Sequence, residues 1–267
     1  MIDGVYYVRY IIAAIGLTIS SWQDWRSREI NDLIWVFMTA SGIPLLIYEA
    51  YIRGFGFWII LSATSILFST ITGLTLYKLD FFGGADAKAL ISLSLLIPVI
   101  PEELSIKLGT HPITSISIFN NSIILSTTPA IYLLIRNTCR MATGESIFTG
   151  LERESIIKKI LAMMTGYRIK LSELKDKRFL YPIEEVKLEN GVIKRKLSVR
   201  IGASLGEERL EDIIKLYNDG VLEGEIWVTP ALPLIIFIAI GTLITFTYGD
   251  IVMKFMRSLG DIRFNLR

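Results

Sequence analysis

Along the chain, apolar residues come in runs that are too long and too uniform for the one-sided periodicity of a soluble helix. The runs cover residues 5–21, 33–51, 57–77, 87–100, 116–135 and 230–248, and polar, glycine or proline residues separate them. About 20 apolar residues in a helix cross a hydrocarbon layer about 30 Å thick, so these runs predict transmembrane helices. The run 87–100 is short for a crossing unless its helix begins at Ala85 or Asp86. The pattern therefore predicts an α-helical polytopic membrane protein, a bundle of about six transmembrane helices. Proline suits a helix start, where its missing N–H would lack a partner anyway, so the last helix is expected to begin near Pro230. Arg9 reads as a side chain snorkelling to the interface, and residues 101–112 read as a polar loop.

From residue 136 to 227 the character changes to mixed charge, with Arg153, Lys158, Lys159, Lys175, Lys177, Arg178, Lys194, Arg195 and Lys196 among many glutamates. Residues 185–200 alternate around Asn190-Gly191, a dipeptide suited to a type I′ hairpin turn. Residues 207–218 instead place Leu210, Ile213, Ile214 and Tyr217 on one helix face. The expectation is a small α+β soluble insert before the last helix, its charges forming a solvated surface. The division is then 1–137 for five transmembrane helices, 138–228 for the insert and 229–267 for the last helix and tail.

Composition agrees with a bilayer as solvent. Of 267 residues 52% are hydrophobic, and the mean hydropathy is +0.50, which excludes an ordinary soluble domain. The expected surroundings are the lipid bilayer of the cell membrane, with no nucleic acid. Net charge is only +2, so placement matters more than sum. Arg26 and Arg28 after the first run and Arg136 and Arg140 after the fifth favour the cytoplasm, which puts the N-terminus outside and the insert inside. Lys254, Arg257, Arg263 and Arg267 after the last run oppose that assignment. A single cysteine, Cys139, excludes an internal disulfide and a thiolate zinc cage. The first run lacks a basic leader and a small-residue cleavage site, so it reads as a retained helix.

Two aspartates carry the candidate chemistry. Asp24 follows the first run and Asp86 precedes the fourth; two crossings lie between them, so both return to the same membrane face. Carboxylates at membrane helices are costly and usually line functional sites. Two carboxyl groups brought together cannot both ionise easily, so such a pair shares a proton near working pH and can activate a water against a peptide carbonyl. By residue type alone, an Asp at a helix end also serves as an N-cap, and intramembrane carboxylates also relay protons in transporters and channels. Against a transporter, no acidic chain crosses the membrane and no inverted repeat is evident.

Gly83-Gly84-Ala85-Asp86, opening a membrane helix, resembles the GxGD motif of intramembrane aspartyl proteases. Gln23-Asp24-Trp25-Arg26 with Arg28-Glu29-Ile30 resembles the first aspartate region of the archaeal preflagellin peptidases and prepilin peptidases, and residues 225–236 are similar to the preflagellin branch. The resemblance extends over nearly the whole chain. It implies an aspartic endopeptidase that removes a short basic leader from a preflagellin or prepilin-like precursor, with Asp24 and Asp86 as the catalytic pair at the cytoplasmic side. It implies neither metal, cofactor nor methyl transfer. Two further alternatives are a prepilin-type peptidase of broader substrate range and an inactive scaffold of the same fold. Ala85 stands at the second glycine of the motif; alanine permits helical or extended backbone and disfavours positive φ. Glu29, Asp32, Asp80 and Glu49 are candidate contacts for a basic leader through complementary charge, and Lys88 is a candidate electrostatic neighbour of the pair. His111 reads as a surface residue of the opposite face.

Overall fold

The structure, a computed structural model, describes residues 2–174, 177–189, 192–198 and 203–265. In chain order, the first helices are α1 (Ile2–Ser27), α2 (Leu33–Arg53), α3 (Phe57–Lys78), α4 (Gly84–Leu96), α5 (Glu102–Leu108), α6 (Thr114–Ser126) and α7 (Thr128–Ala142). Next come α8 (Ile156–Thr165), β1 (Tyr167–Lys170), α9 (Leu171–Leu174), β2 (Leu180–Pro182), β3 (Glu184–Glu189) and β4 (Val192–Leu197). The chain closes with α10 (Ala203–Asn218), β5 (Glu225–Pro230), α11 (Leu234–Thr247) and α12 (Ile251–Asn265). Two compact units result, one of residues 1–126 with 233–267 and one of residues 127–232.

In the first unit, α1, α2 and α3 are each long and apolar enough to cross a membrane, and α11 and α12, bent by 55° at their junction, make a further candidate; the stretch Thr114–Ala142, which begins in this unit and ends in the other, is also long and apolar enough. The chain is a multi-pass membrane protein with four or five candidate spanning helices, against the six expected. Its side chains are arranged for lipid. On α3 the buried residues are Ser62, Ser65, Ser69 and Gly73, while Ile60, Leu67, Ile71 and Leu74 face outward. Lipid tails are as apolar as leucine, so no hydrophobic force drives these helices together; close approach of small residues and interhelical hydrogen bonds do. A Cβ on Gly42 would lie 3.0 Å from the α4 backbone at Leu95, one on Gly73 3.3 Å from Ala87 Cα, and one on Gly241 2.8 Å from the Ser122 amide nitrogen. Ser65 and Ser115 hydroxyls lie 2.9 Å apart, and Asn121 Nδ2 donates to Thr245 Oγ1 at 2.9 Å.

Helix α4 lies amid the others. Asp86, Ala87, Ala89, Leu90, Ser92, Leu93, Ser94 and Leu96 are all buried. Its 13 residues rise only about 20 Å at 1.5 Å each, less than a bilayer core. Enclosure by neighbouring helices explains how so short and serine-rich a segment persists at membrane depth.

Several expectations change. Residues 101–112 are not simply a loop but contain α5, closed by Gly109 in the left-handed region (φ 68°). The fifth run is two helices parted at Thr127, with Pro129 in the first turn of α7. The last helix starts at Leu234 rather than near Pro230, because Thr229 and Pro230 belong to β5. Arg9 does not snorkel: it is wholly buried, donating from Nη2 to Glu49 Oε2 (2.8 Å) and from Nη1 to the Leu96 carbonyl (2.6 Å).

In the second unit, β5 is the centre of an antiparallel sheet of order β1-β5-β2, with Tyr167 opposite Val228 and Leu180 opposite Pro230. The expected hairpin is β3 with β4, Glu189 opposite Val192; its Asn190-Gly191 turn lies outside the described residues, as do Lys175 and Arg267. The expected helix over 207–218 is α10. Not all charges here are solvated. Glu184 is fully buried, taking both Arg195 Nε (2.7 Å) and Nη2 (2.9 Å) and the Trp227 N–H (2.7 Å).

Candidate active site

Helix α1 carries two stripes. Ile11, Ile15, Ile19 and Trp22 point outward, whereas Arg9, Ala13, Leu17, Ser20 and Asp24 recur at three- and four-residue steps on the buried side. Asp24 therefore turns inward from the last turn of α1, between Trp22 and Trp25, whose rings stay exposed as an interfacial pair suits. Just past the helix end Arg28 takes a left-handed backbone (φ 58°), an uncommon state outside glycine, and its Nη1 lies 3.5 Å from Asp24 Oδ1.

The other oxygen of Asp24 meets a group no residue-type pattern reveals. The first N–H groups of a helix have no partner inside it. In α11 that position belongs to Ile235, whose N–H donates to Asp24 Oδ2 at 3.2 Å. Pro233, at the N-cap of α11, was the one available signal that a helix start would lie there.

Asp86 occupies the first turn of α4, three residues after the Gly83 N-cap. Its Oδ2 accepts the Gly83 N–H at 2.8 Å, so the carboxylate folds back over its own helix end, where the helix dipole favours negative charge. A Cβ on Gly83 would stand 3.2 Å from that oxygen, whereas one on Gly84 would make only ordinary contact, at 3.8 Å from Tyr77. Ala85 is helical, so the alanine that departs from the glycine motif needs no positive φ.

Asp24, from the last turn of α1, and Asp86, from the first turn of α4, thus both turn into the buried core. Each is 7% exposed. Among the described residues, no cation lies in salt-bridge range of Asp86. Below the pair, Tyr10, Ala13 and Leu17 of α1 and Ala239, Leu243 and Phe246 of α11 line an apolar cavity of about 400 Å³.

The remaining candidates divide. Lys88 does not turn to the aspartates: its Nζ spans both oxygens of Asp32 (2.7 and 2.8 Å), tying α4 to the start of α2. Glu29 and Asp80 are exposed near the same end, Asp80 with a left-handed backbone (φ 59°) after α3. Glu49 belongs elsewhere, at the far end of α2, where Tyr6, Arg9 and Arg53 surround it. His111 is half-buried and accepts the Ile113 N–H at Nδ1. Residues 225–230 are structural, with Trp227 buried against Phe148 (ring centroids 5.1 Å apart).

Comparison with known proteins matches residues 11–131 to the type IV leader peptidase family and residues 158–251 to the archaeal peptidase A24 C-terminus, type II. A preflagellin peptidase of Methanococcus maripaludis is 30% identical over 262 residues, covering 93% of this chain and 98% of the relative. Those of Methanococcus voltae and Methanocaldococcus jannaschii are 28% and 27% identical, covering 92% and 94% of this chain and 97% and 98% of theirs. With two family segments matched in order along one chain and a relative aligned over nearly its full length, the protein belongs to the preflagellin peptidases of the type IV leader peptidase family.

Proposed function

We propose that this chain removes the leader peptide of preflagellin as an aspartic endopeptidase, with Asp24 and Asp86 as the catalytic pair. The observation that carries the reading is the burial of both carboxyl groups at one end of one helical core, although 62 positions and two membrane crossings separate them in sequence. In such a pair one carboxylate draws a proton from a water while the other, protonated, donates to the scissile carbonyl oxygen. The water adds to the carbonyl carbon, and the proton then passes to the departing amine, with no covalent enzyme intermediate. Backbone N–H groups from Gly83 and Ile235 hold the two side chains in place. The apolar cavity along the same faces of α1 and α11 offers a surface to the hydrophobic side of the cleaved junction. Glu29 and Asp80 offer negative charge to a basic leader.

The site is taken to face the cytoplasm, with the loop carrying Arg26 and Arg28 on that side and the N-terminus outside. In a Cys139→Ser background, a cysteine at Asn31 is expected to react with an impermeant maleimide only from the cytoplasmic side, and one at Phe55 only from the other; the reverse pattern inverts the topology.

The test of the activity is cleavage of a purified preflagellin by this protein in lipid, beside folded Asp24→Asn and Asp86→Asn variants. Loss in both variants with cleavage by the parent upholds the reading. Intact leaders with folded parent would favour the transporter and scaffold alternatives, and equal cleavage of pilin-type precursors would broaden the substrate range.

A further inference from the structure

Helix α8 (Ile156–Thr165) has two unlike sides. Ala162 and Met163 are buried in a core shared with Trp227, Ile147 and Leu197. Asn137 of α7 donates through Nδ2 to the carbonyls of Met163 (2.9 Å) and Gly166 (2.8 Å), which fastens the end of α8 to α7. On the other side Ile156, Ile157, Ile160 and Leu161 stand 76%, 71%, 47% and 41% exposed, two overlapping four-residue steps that make one continuous apolar stripe. The lysines between them leave that stripe: Lys158 pairs with Glu154 at 2.9 Å, and Lys159 donates to the Glu152 carbonyl at 2.8 Å.

A water-soluble helix turns such a stripe toward a core or a partner. Here the helix that holds α8 supplies the occupant. Helix α7 is the second half of the apolar stretch Thr114–Ala142, which is long enough to cross a membrane, and it too exposes large apolar groups, Ile131, Tyr132 and Ile135. We propose that α8 lies along the bilayer surface beside this span, with Ile156, Ile157, Ile160 and Leu161 sunk into the boundary between headgroups and acyl chains. Helices with one apolar and one charged face settle in this layer, about 5–10 Å into the boundary. The sheet-bearing unit thereby gains an attachment to lipid that does not depend on catalysis.

The experiment uses the full-length protein in liposomes, in a Cys139→Ser background. Nitroxides are placed singly by Ile156→Cys, Ile157→Cys, Ile160→Cys and Leu161→Cys, with Asp212→Cys on the exposed side of α10 as reference. At the four α8 positions, collisions with oxygen are expected to exceed those with a water-soluble nickel chelate severalfold, and the order reverses at the reference. Free access of nickel at all four positions would place the stripe in water and overturn the proposal. Spin–spin broadening at all four would make the occupant a second copy of the chain, and exclusion of both reagents would make it protein; either result also overturns it. Because the readout needs no substrate, it stands or falls separately from leader cleavage.

Discussion

The two ends of the membrane-spanning unit bury acidic side chains in opposite ways. Around Glu49, one oxygen accepts from Tyr6 (2.9 Å) and pairs with Arg53 (2.8 Å), the other pairs with Arg9 (2.8 Å), and Arg9 goes on to the Leu96 carbonyl. Around Asp24 and Asp86 the burial is similar, but the partners are two backbone N–H groups and one guanidinium at 3.5 Å. Charge at the first end is neutralised by fixed cations, which suits a joint between α1, α2 and α4. At the second end the partners shown are chiefly backbone N–H groups, an arrangement that supports the proposed sharing of a proton. Burial alone therefore does not mark a catalytic acid, and the contrast in partners supports the proposed pair.

The strongest way to break this comparison is to neutralise each acid. Asp24→Asn and Asp86→Asn are expected to lower leader cleavage by about 10²–10⁴-fold with little change in thermal unfolding, since the closest cation, Arg28, stands 3.5 Å from Asp24 just past the end of α1. Glu49→Gln should do the reverse. It leaves Arg9 buried beside a neutral partner, which costs about 3–5 kcal/mol of stability, while the molecules that remain folded still cleave; an unchanged unfolding midpoint would refute the assignment of a joint.

The comparison is sharpened by pH. A pair that works with one shared proton gives a rate falling on both sides of an optimum, at low pH because both groups are protonated and at high pH because both are ionised. A rate that rises monotonically would contradict the shared proton. A smaller effect is expected at the motif glycines: Gly83→Ala presses a methyl group toward Asp86 Oδ2 and should slow turnover by roughly tenfold, about 1.4 kcal/mol, whereas Gly84→Ala should leave it near the parent value. Least of all, Lys88→Met removes an exposed bridge to Asp32 and should change stability by less than about 1 kcal/mol.

The long helices were legible because lipid demands long apolar runs: α2 and α3 end within about two residues of theirs, whereas α1 continues past its run to Ser27 and takes Asp24 into its last turn. The placing of Asp24 and Asp86 at helix ends of one face was legible through parity, since two crossings return the chain to the same face. Residue type could not reveal the Ile235 N–H, because every residue but proline carries one. Arg9 was misread because its partner lies 40 positions away, and a lone arginine near a helix start is ordinarily a snorkelling one. The end of β5 was missed because Thr229-Pro230 before an apolar run reads as a helix entry. Strand pairing with β1 and β2 decides otherwise.

The glycines that let these helices touch have a genetic consequence. At Gly42 and Gly241 even a methyl group has no room, as the facing backbone stands at 3.0 and 2.8 Å. A screen for inactive missense alleles should therefore recover these two positions as readily as the acidic pair. Alleles of the two kinds would separate by abundance, with little protein from the glycine changes and a full complement of silent protein from the aspartate ones.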